Sequence, residues 1–360
     1  MFYTMKHVTS LDGVRGLAVL VVMLFHAKVS GFSLGWAGVP LFFCLSGFLI
    51  TSILMENKRS SFADYIKTFL INRSLRIFPL FYAYLLVNFL LLIATGKPTD
   101  GYVWFITYLQ NYYIGYHITT PGILGHTWSL AVEEQFYWIW PLVIFFISRR
   151  YMSALFITLI IVSSVSRYFI FDFTNGNPYI VNVTLISCTD MLVLGAIFSK
   201  IKNDTHATAI GFITFIAGVL LILRGINYVG MDSFWNPVDW AGKCWYMFTA
   251  FGMIFSSSIF FLYKWSINKP NKAIVKIFSS KPLVFTGKIS YGLYMWHLLC
   301  FSVANKIYST LNFTQSKIYL ILLGFVISYI VSTISYYAYE VHFLKLKKHA
   351  RKISESKVPA

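Results

Sequence analysis

Residues 11–50 read LDGVRGLAVLVVMLFHAKVSGFSLGWAGVPLFFCLSGFLI, and this stretch decides the fold class. Two apolar runs, at roughly 14–30 and 37–55, flank a short connector rich in Gly and Ser. Each is close to the ~20 residues that a helix needs to cross a bilayer core. The pattern recurs outward at roughly 77–95, 129–148, 152–171, 183–200, 207–225, 243–263, 283–303 and 317–339. The expectation is an all-α polytopic membrane protein of about ten transmembrane helices, with both termini on one side. Composition agrees: 57% of the 360 residues are hydrophobic and 12% charged, against about 25% charged in a soluble domain. Soluble Rossmann, barrel and sandwich enzymes are excluded.

The formal charge of +17 comes from 30 Lys+Arg against 13 Asp+Glu. The basic residues cluster in alternate connectors. Lys58, Arg59, Lys67, Arg73 and Arg76 follow the second run, Arg149, Arg150, Lys200 and Lys202 lie in later ones, and Lys345, Lys347, Lys348, Arg351 and Lys352 end the chain. By the positive-inside rule the N- and C-termini and these connectors are cytoplasmic. The charges therefore face membrane lipids and set topology, and a nucleic-acid partner is not expected. The domain expectation is a transmembrane region over 1–345 and a basic cytoplasmic tail over 346–360. No cleavable leader is expected, because no small-residue cleavage site follows the first run. Cys44, Cys188, Cys244 and Cys300 share no metal-ligand spacing and read as small buried hydrophobes, so no metal is expected. Two connectors on the opposite face, about 96–127 and 226–242, are rich in Trp, Tyr, Gly and Pro. They suit an interfacial aromatic belt or a sugar-binding platform.

Ionisable side chains at membrane depth cost about 2.5–3.5 kcal/mol each and mark candidate sites. In the first run Arg15 and His26 are eleven residues apart, which at ~100° per residue places them on nearly one face and ~16 Å apart along the axis. Asp12 lies close to that face. Arg73 and Arg76, three apart, share a helical face, and paired guanidiniums suit either a phosphate clamp or a membrane anchor. In HTWSLAVEEQFYWIWPL, residues 126–142, Glu133 and Glu134 sit against the membrane but point ~100° apart, so only one can face a given cavity. Such a carboxylate can orient an imidazole or bind a hydroxyl acceptor. Ser290, Tyr294 and His297 form a single polar face at i, i+4 and i+7, which reads equally as a site or as packing glue between helices. Nucleotide-binding loops, HExxH and paired CxxC motifs are absent from the sequence.

Four blocks together resemble the acyltransferase-3 group of integral-membrane acyltransferases, which includes bacterial O-antigen and other surface-polysaccharide O-acetyltransferases. They are 11–26, GWAGVPLFFCLSGFLI at 35–50, the R-x-x-R of Arg73 and Arg76 followed by Pro79, and HTWSLAVEEQFYWIWP at 126–141. TDMLVLGA at 189–196 and KISYGLYMWH at 288–297 add weaker support. The resemblance implies an acyl-CoA donor, usually acetyl-CoA, entering from the cytoplasm, and a hydroxyl acceptor at or across a bacterial plasma membrane. It matches Arg15 and His26 to the family's basic-plus-histidine signature and Arg73 with Arg76 to its paired arginines. His26 becomes the candidate for acid/base or acyl-relay chemistry. Asp190 follows Thr189 where many relatives carry Arg, which leaves its role open.

With no hydrolase-like domain expected after the last run, direct transfer to a lipid-linked or surface glycan is the first expectation. Transfer to a small molecule or to peptidoglycan is the alternative within the enzyme class. A proton-coupled transporter would share the helices and the buried ionisable groups, but the sequence shows no repeat relating two halves.

Overall fold

A computed structural model describes residues 8–56, 61–117, 122–200, 205–310 and 317–346 of the chain. Among these residues all regular structure is helical. Ten helices have 16 or more residues: α1 (Thr9–His26), α2 (Gly38–Glu56), α3 (Phe62–Ala94), α4 (Trp128–Phe146), α5 (Arg149–Phe173), α6 (Leu185–Lys200), α7 (Thr205–Val229), α8 (Met247–Asn268), α9 (Ser290–Thr310) and α10 (Lys317–Ser335). Each expected run overlaps one of these helices, although the run at 283–303 begins in a separate short helix, Lys281–Lys288. Among the described residues, eight helical segments are long and apolar enough to cross a membrane, and they contain α1, α2, α3, α5, α6, α7, α8 and α10. The other two expected spans, 129–148 and 283–303, fold as α4 and α9 but are diluted by Glu133, Glu134, Gln135, His297 and several Trp and Tyr. The expected tail at 346–360 lies outside the described residues beyond Leu346, as do Lys58, Arg59 and Lys202 of the basic connectors.

The helices form two compact units. One comprises Met1–Lys58 with Tyr108–Lys288, the other Arg59–Thr107 with Ile289–Ala360.

In the first unit, glycine sets how closely helices pack. A Cβ on Gly47 of α2 would lie 1.8 Å from the Leu192 carbonyl oxygen of α6, and one on Gly195 would lie 2.0 Å from that of Cys44. The two backbones touch reciprocally, the small-residue packing that helices use in lipid, where no hydrophobic drive brings them together. Gly211, Gly218 and Gly225, at seven-residue spacing on α7, make room for α8: Gly211 for the Phe260 and Phe261 rings, Gly218 for the Ala250 carbonyl and Gly225 for the Met247 side chain. Helix α4 is fastened to α2 by polar contacts instead. The Trp140 indole N–H donates to Thr51 Oγ1 at 2.8 Å, and the Tyr137 and Ser46 hydroxyls meet at 2.5 Å. Trp140 also stacks on Phe136 and on Phe156 of α5. The Ser46–Tyr137 contact joins the block at 35–50 to that at 126–141.

The aromatic connector after α7 is neither belt nor platform at its centre. Trp240 is fully buried and donates to the Phe234 carbonyl, while Trp36 donates to the Trp235 carbonyl and packs against Trp240, Phe248 and Phe251. Tyr228 and Trp235 remain exposed at its surface.

In the second unit, α3 begins at a serine N-cap. Ser61 Oγ accepts from the Asp64 backbone N–H at 3.2 Å and donates to the Asp64 carboxylate at 2.7 Å. Its 33 residues span about 50 Å, against ~30 Å for a hydrocarbon core. The apolar part begins at Ile77, so the polar N-terminal half, with Arg73 and Arg76 at its edge, reaches beyond that core. Pro79 lies inside the helix and removes one ladder donor.

Candidate active site

Helix α1 carries the first cluster. Arg15 Nη1 donates to Asp12 Oδ1 at 2.9 Å, one turn apart, and both side chains retain about a fifth of their exposure. The acid therefore orients the guanidinium and leaves part of it open at the N-terminal end of the helix. This half of α1 is seated by glycines: Cβ atoms on Gly13, Gly16 and Gly287 would fall 1.8 Å from the Phe278, 2.3 Å from the Leu283 and 1.8 Å from the Asp12 carbonyl oxygens. The glycines of the LDGVRG block thus exist to admit the 278–288 backbone. His26 is the last residue of α1, half-buried, its ring edge-on to Phe25 at 5.3 Å. The helix starts about five residues earlier than the hydropathy window, which moves His26 from within the span to its far end. Arg15 and His26 keep the ~16 Å separation along the axis that eleven helical residues impose.

The two glutamates behave as their angular separation requires. Glu134 is buried and Glu133 half-buried on α4. Beside this helix, Gln135 Nε2 donates to the Tyr108 carbonyl at 2.8 Å and to Asn111 Oδ1 at 2.9 Å, and the buried Gln110 donates to the Thr127 carbonyl. Carboxamides thus tie the 108–116 segment to the helix that carries the glutamates.

Within the second unit, Arg73 and Arg76 are both half-buried, and the Arg73 guanidinium lies over the Phe69 ring at 5.8 Å. Ser290, Tyr294 and His297 are all buried on α9. His297 Nδ1 lies 2.8 Å from the Tyr294 and 3.1 Å from the Leu293 carbonyl oxygen of its own helix, which fixes the ring against the backbone. The N-terminal glycine of this block, Gly292, faces Ser332 and Glu340.

Sequence reasoning missed Arg167. It lies in the C-terminal third of α5, 1% exposed, and its Nη2 donates to Asp190 Oδ2 at 2.5 Å. Its remaining donors go to the Ser187 and Trp245 carbonyls and to Thr249 Oγ1, and the Thr249 hydroxyl also reaches Asp190 at 2.5 Å. Ser163 Oγ accepts from the Asp190 backbone N–H. This closed network joins α5, α6 and α8. It answers the question left by Thr189: the guanidinium partner of Asp190 comes from a neighbouring helix. The available signal was an arginine within an apolar run, which demands a buried partner. No group of His, Cys, Asp and Glu among the described residues forms a metal-binding cluster.

The fold and its long apolar helices define a multi-pass helical membrane protein. Residues 8–337 match the acyltransferase domain, and the chain belongs to the acyltransferase-3 family. It is 28% identical over 363 residues to the peptidoglycan O-acetyltransferase OatA of Listeria monocytogenes, covering 93% of this chain and 55% of that protein. It is 29% identical over 372 residues to a putative O-acetyltransferase of Staphylococcus aureus strain COL, covering 95% and 58%. It is also 28% identical over 360 residues to the O-acetyltransferase OatA of Staphylococcus aureus strain NCTC 8325, covering 93% and 57%. The chain thus spans little more than half the length of the curated relatives it matches. No solved structure matches it.

Proposed function

We propose that this chain is a bacterial plasma-membrane O-acetyltransferase that moves an acetyl group from cytoplasmic acetyl-CoA to a hydroxyl of a cell-envelope glycan. The observation that carries the reading is the family match over residues 8–337, which takes in Arg15, His26, Arg73, Arg76, Glu133 and Glu134. Ten crossings with cytoplasmic termini would place the Asp12–Arg15 pair and the R-x-x-R on the donor side and His26 at the other end of α1. Guanidiniums bind the phosphates of CoA as bidentate forks. A neutral His26 imidazole takes the acceptor hydroxyl proton as the oxygen attacks the thioester carbon, the C–S bond breaks, and the departing thiolate recovers the proton. Acyl transfer through the imidazole itself gives the same balance in two steps.

The names of the relatives favour a glycan acceptor, and peptidoglycan now stands beside a lipid-linked or surface polysaccharide as the leading substrate. Proton NMR of purified peptidoglycan and surface polysaccharide from wild type, a deletion strain and the deletion complemented with His26→Ala separates these. O-acetyl methyl signals lost from one polymer on deletion identify the acceptor, and their failure to return with His26→Ala supports the catalytic assignment. Acetylation of both polymers unchanged by deletion refutes the proposal.

A further inference from the structure

The segment that joins α8 to α9, residues 269–288, carries five lysines, Lys269, Lys272, Lys276, Lys281 and Lys288, and no acid. All five are exposed. The sequence has no Asp or Glu between Asp239 and Glu340, and Asp12, whose backbone touches Gly287, is paired with Arg15. The lysines therefore form a strip with no counter-charge of its own. Apolar side chains stand among them: Ile274, Ile277 and Phe285 are 39%, 56% and 37% exposed.

Two short helices produce this interleaving. In Ala273–Phe278 the buried Val275 faces the protein, Ile274 and Ile277 share an outward face, and Lys272 and Lys276, four apart, line its flank. In Lys281–Lys288 the buried Thr286 and Gly287 face inward, and Lys281, Phe285 and Lys288 return to one outer face at i, i+4 and i+7. Helix α8 lies in a segment long and apolar enough to cross a membrane and ends at Asn268, so the strip begins where that crossing stops. In the last turn of α8 the Trp265 ring holds the Lys272 ammonium 3.8 Å from its centroid, a cation–π contact made by a residue type that gathers at membrane boundaries. The strip is also fixed to α1. The Ser266 and Ser10 hydroxyls meet at 2.7 Å, Thr9 Oγ1 donates to Ser279 Oγ at 3.4 Å, and Gly13 and Gly16 admit the Phe278 and Leu283 carbonyls. All these groups lie within one compact unit.

We propose that this strip is a docking site for an anionic phospholipid: Lys272, Lys276 and Lys281 take the headgroup phosphate while Ile274, Ile277 and Phe285 enter the acyl-chain boundary. Lysines alone would suit any phosphate, but a soluble phosphate gives the exposed apolar side chains nothing to cover them. A neutral lipid would cover them and leave the lysines without a counter-charge. An amphiphile with a negative head satisfies both at once. The same backbone seats the half of α1 that carries Arg15, so the bound lipid braces that seat from outside. Lipid binding here needs no acetyl transfer and is measured apart from it.

The test uses the full chain purified in detergent, with native mass spectrometry counting the phosphatidylglycerol and phosphatidylcholine, of matched acyl chains, that it retains. Wild type is expected to retain phosphatidylglycerol in preference. The triple variant Lys272→Gln, Lys276→Gln and Lys281→Gln, which leaves Lys269 and Lys288 to set topology, should hold it at least about tenfold more weakly. A control with Lys97→Gln, Lys243→Gln and Lys306→Gln removes as much charge from exposed lysines elsewhere and should keep the wild-type preference. Ile274→Ser with Ile277→Ser should weaken retention about threefold, because the apolar contact is lost with every lysine in place. Wild-type retention by the lysine triple, an equal loss in the control, or no effect of the serine pair overturns the proposal. A last arm measures CoA binding in phosphatidylcholine nanodiscs, where the lysine triple should match wild type. Weaker CoA binding by the triple there would assign the lysines to a soluble donor's phosphates and overturn the lipid assignment.

Discussion

Replacing Asp190 with alanine leaves the Arg167 guanidinium, 1% exposed, without its counter-charge in the interior of a membrane protein. Arg167 keeps its bonds to the Ser187 and Trp245 carbonyls and to Thr249, so it stays solvated by dipoles but not neutralised. Breaking a buried pair from one side costs about 3–5 kcal/mol. Removing both charges, as Arg167→Met with Asp190→Ala, costs less. The pair's desolvation penalty disappears, and the residual loss of about 1–2 kcal/mol comes from the stranded carbonyls and hydroxyl. The double-mutant coupling is therefore expected to exceed about 2 kcal/mol. At roughly 2–4 °C per kcal/mol for large domains, Asp190→Ala should lower the thermal midpoint in detergent by on the order of 10 °C, with the double variant recovering more than half. A shift under about 2 °C for Asp190→Ala, or strictly additive single effects, would refute the view that this pair clamps α5, α6 and α8.

Gly195→Val puts a branched side chain where even a Cβ lies 2.0 Å from the Cys44 carbonyl, so α2 and α6 must separate. Its monodisperse yield in fluorescence-detected size exclusion should collapse, while Gly96→Ala, in open space at φ +65°, loses only about 1 kcal/mol. Trp140→Phe keeps the ring stack but strands the buried Thr51 hydroxyl, an expected cost of about 1–3 kcal/mol in thermal denaturation. Thr51→Val in the same background should recover part of it.

The helical class and the positions of all ten long helices were legible because apolar runs of bilayer length have few other solutions. Hydropathy windows located α1 and α3 poorly at their starts. Each begins with polar residues held by a cap or by glycine contacts, which a hydropathy average cannot register. The spacing of Arg15 with His26, and of Arg73 with Arg76, was readable from helix geometry alone. The seat beneath Arg15 was not, since it depends on a backbone segment near residue 280 that reaches α1 only through tertiary packing. Trp240 shows the opposite error: its place in an aromatic connector suggested a surface role, and long-range packing against Trp36 buries it. Arg167 was visible as a lone charge in an apolar run but lacked a local partner, and its anion lies 23 residues away.

The most direct test of the central claim is acetyl transfer by the full chain reconstituted in liposomes. Radiolabelled acetyl-CoA is supplied on the side of the termini, and peptidoglycan fragments or a lipid-linked glycan are supplied as acceptor. The account predicts label in the glycan with wild-type protein, none with His26→Ala, and a raised acetyl-CoA requirement with Arg73→Lys. Label transferred equally by His26→Ala would contradict the role given to His26, and no transfer by correctly folded wild-type protein to either glycan would contradict the enzymatic account itself.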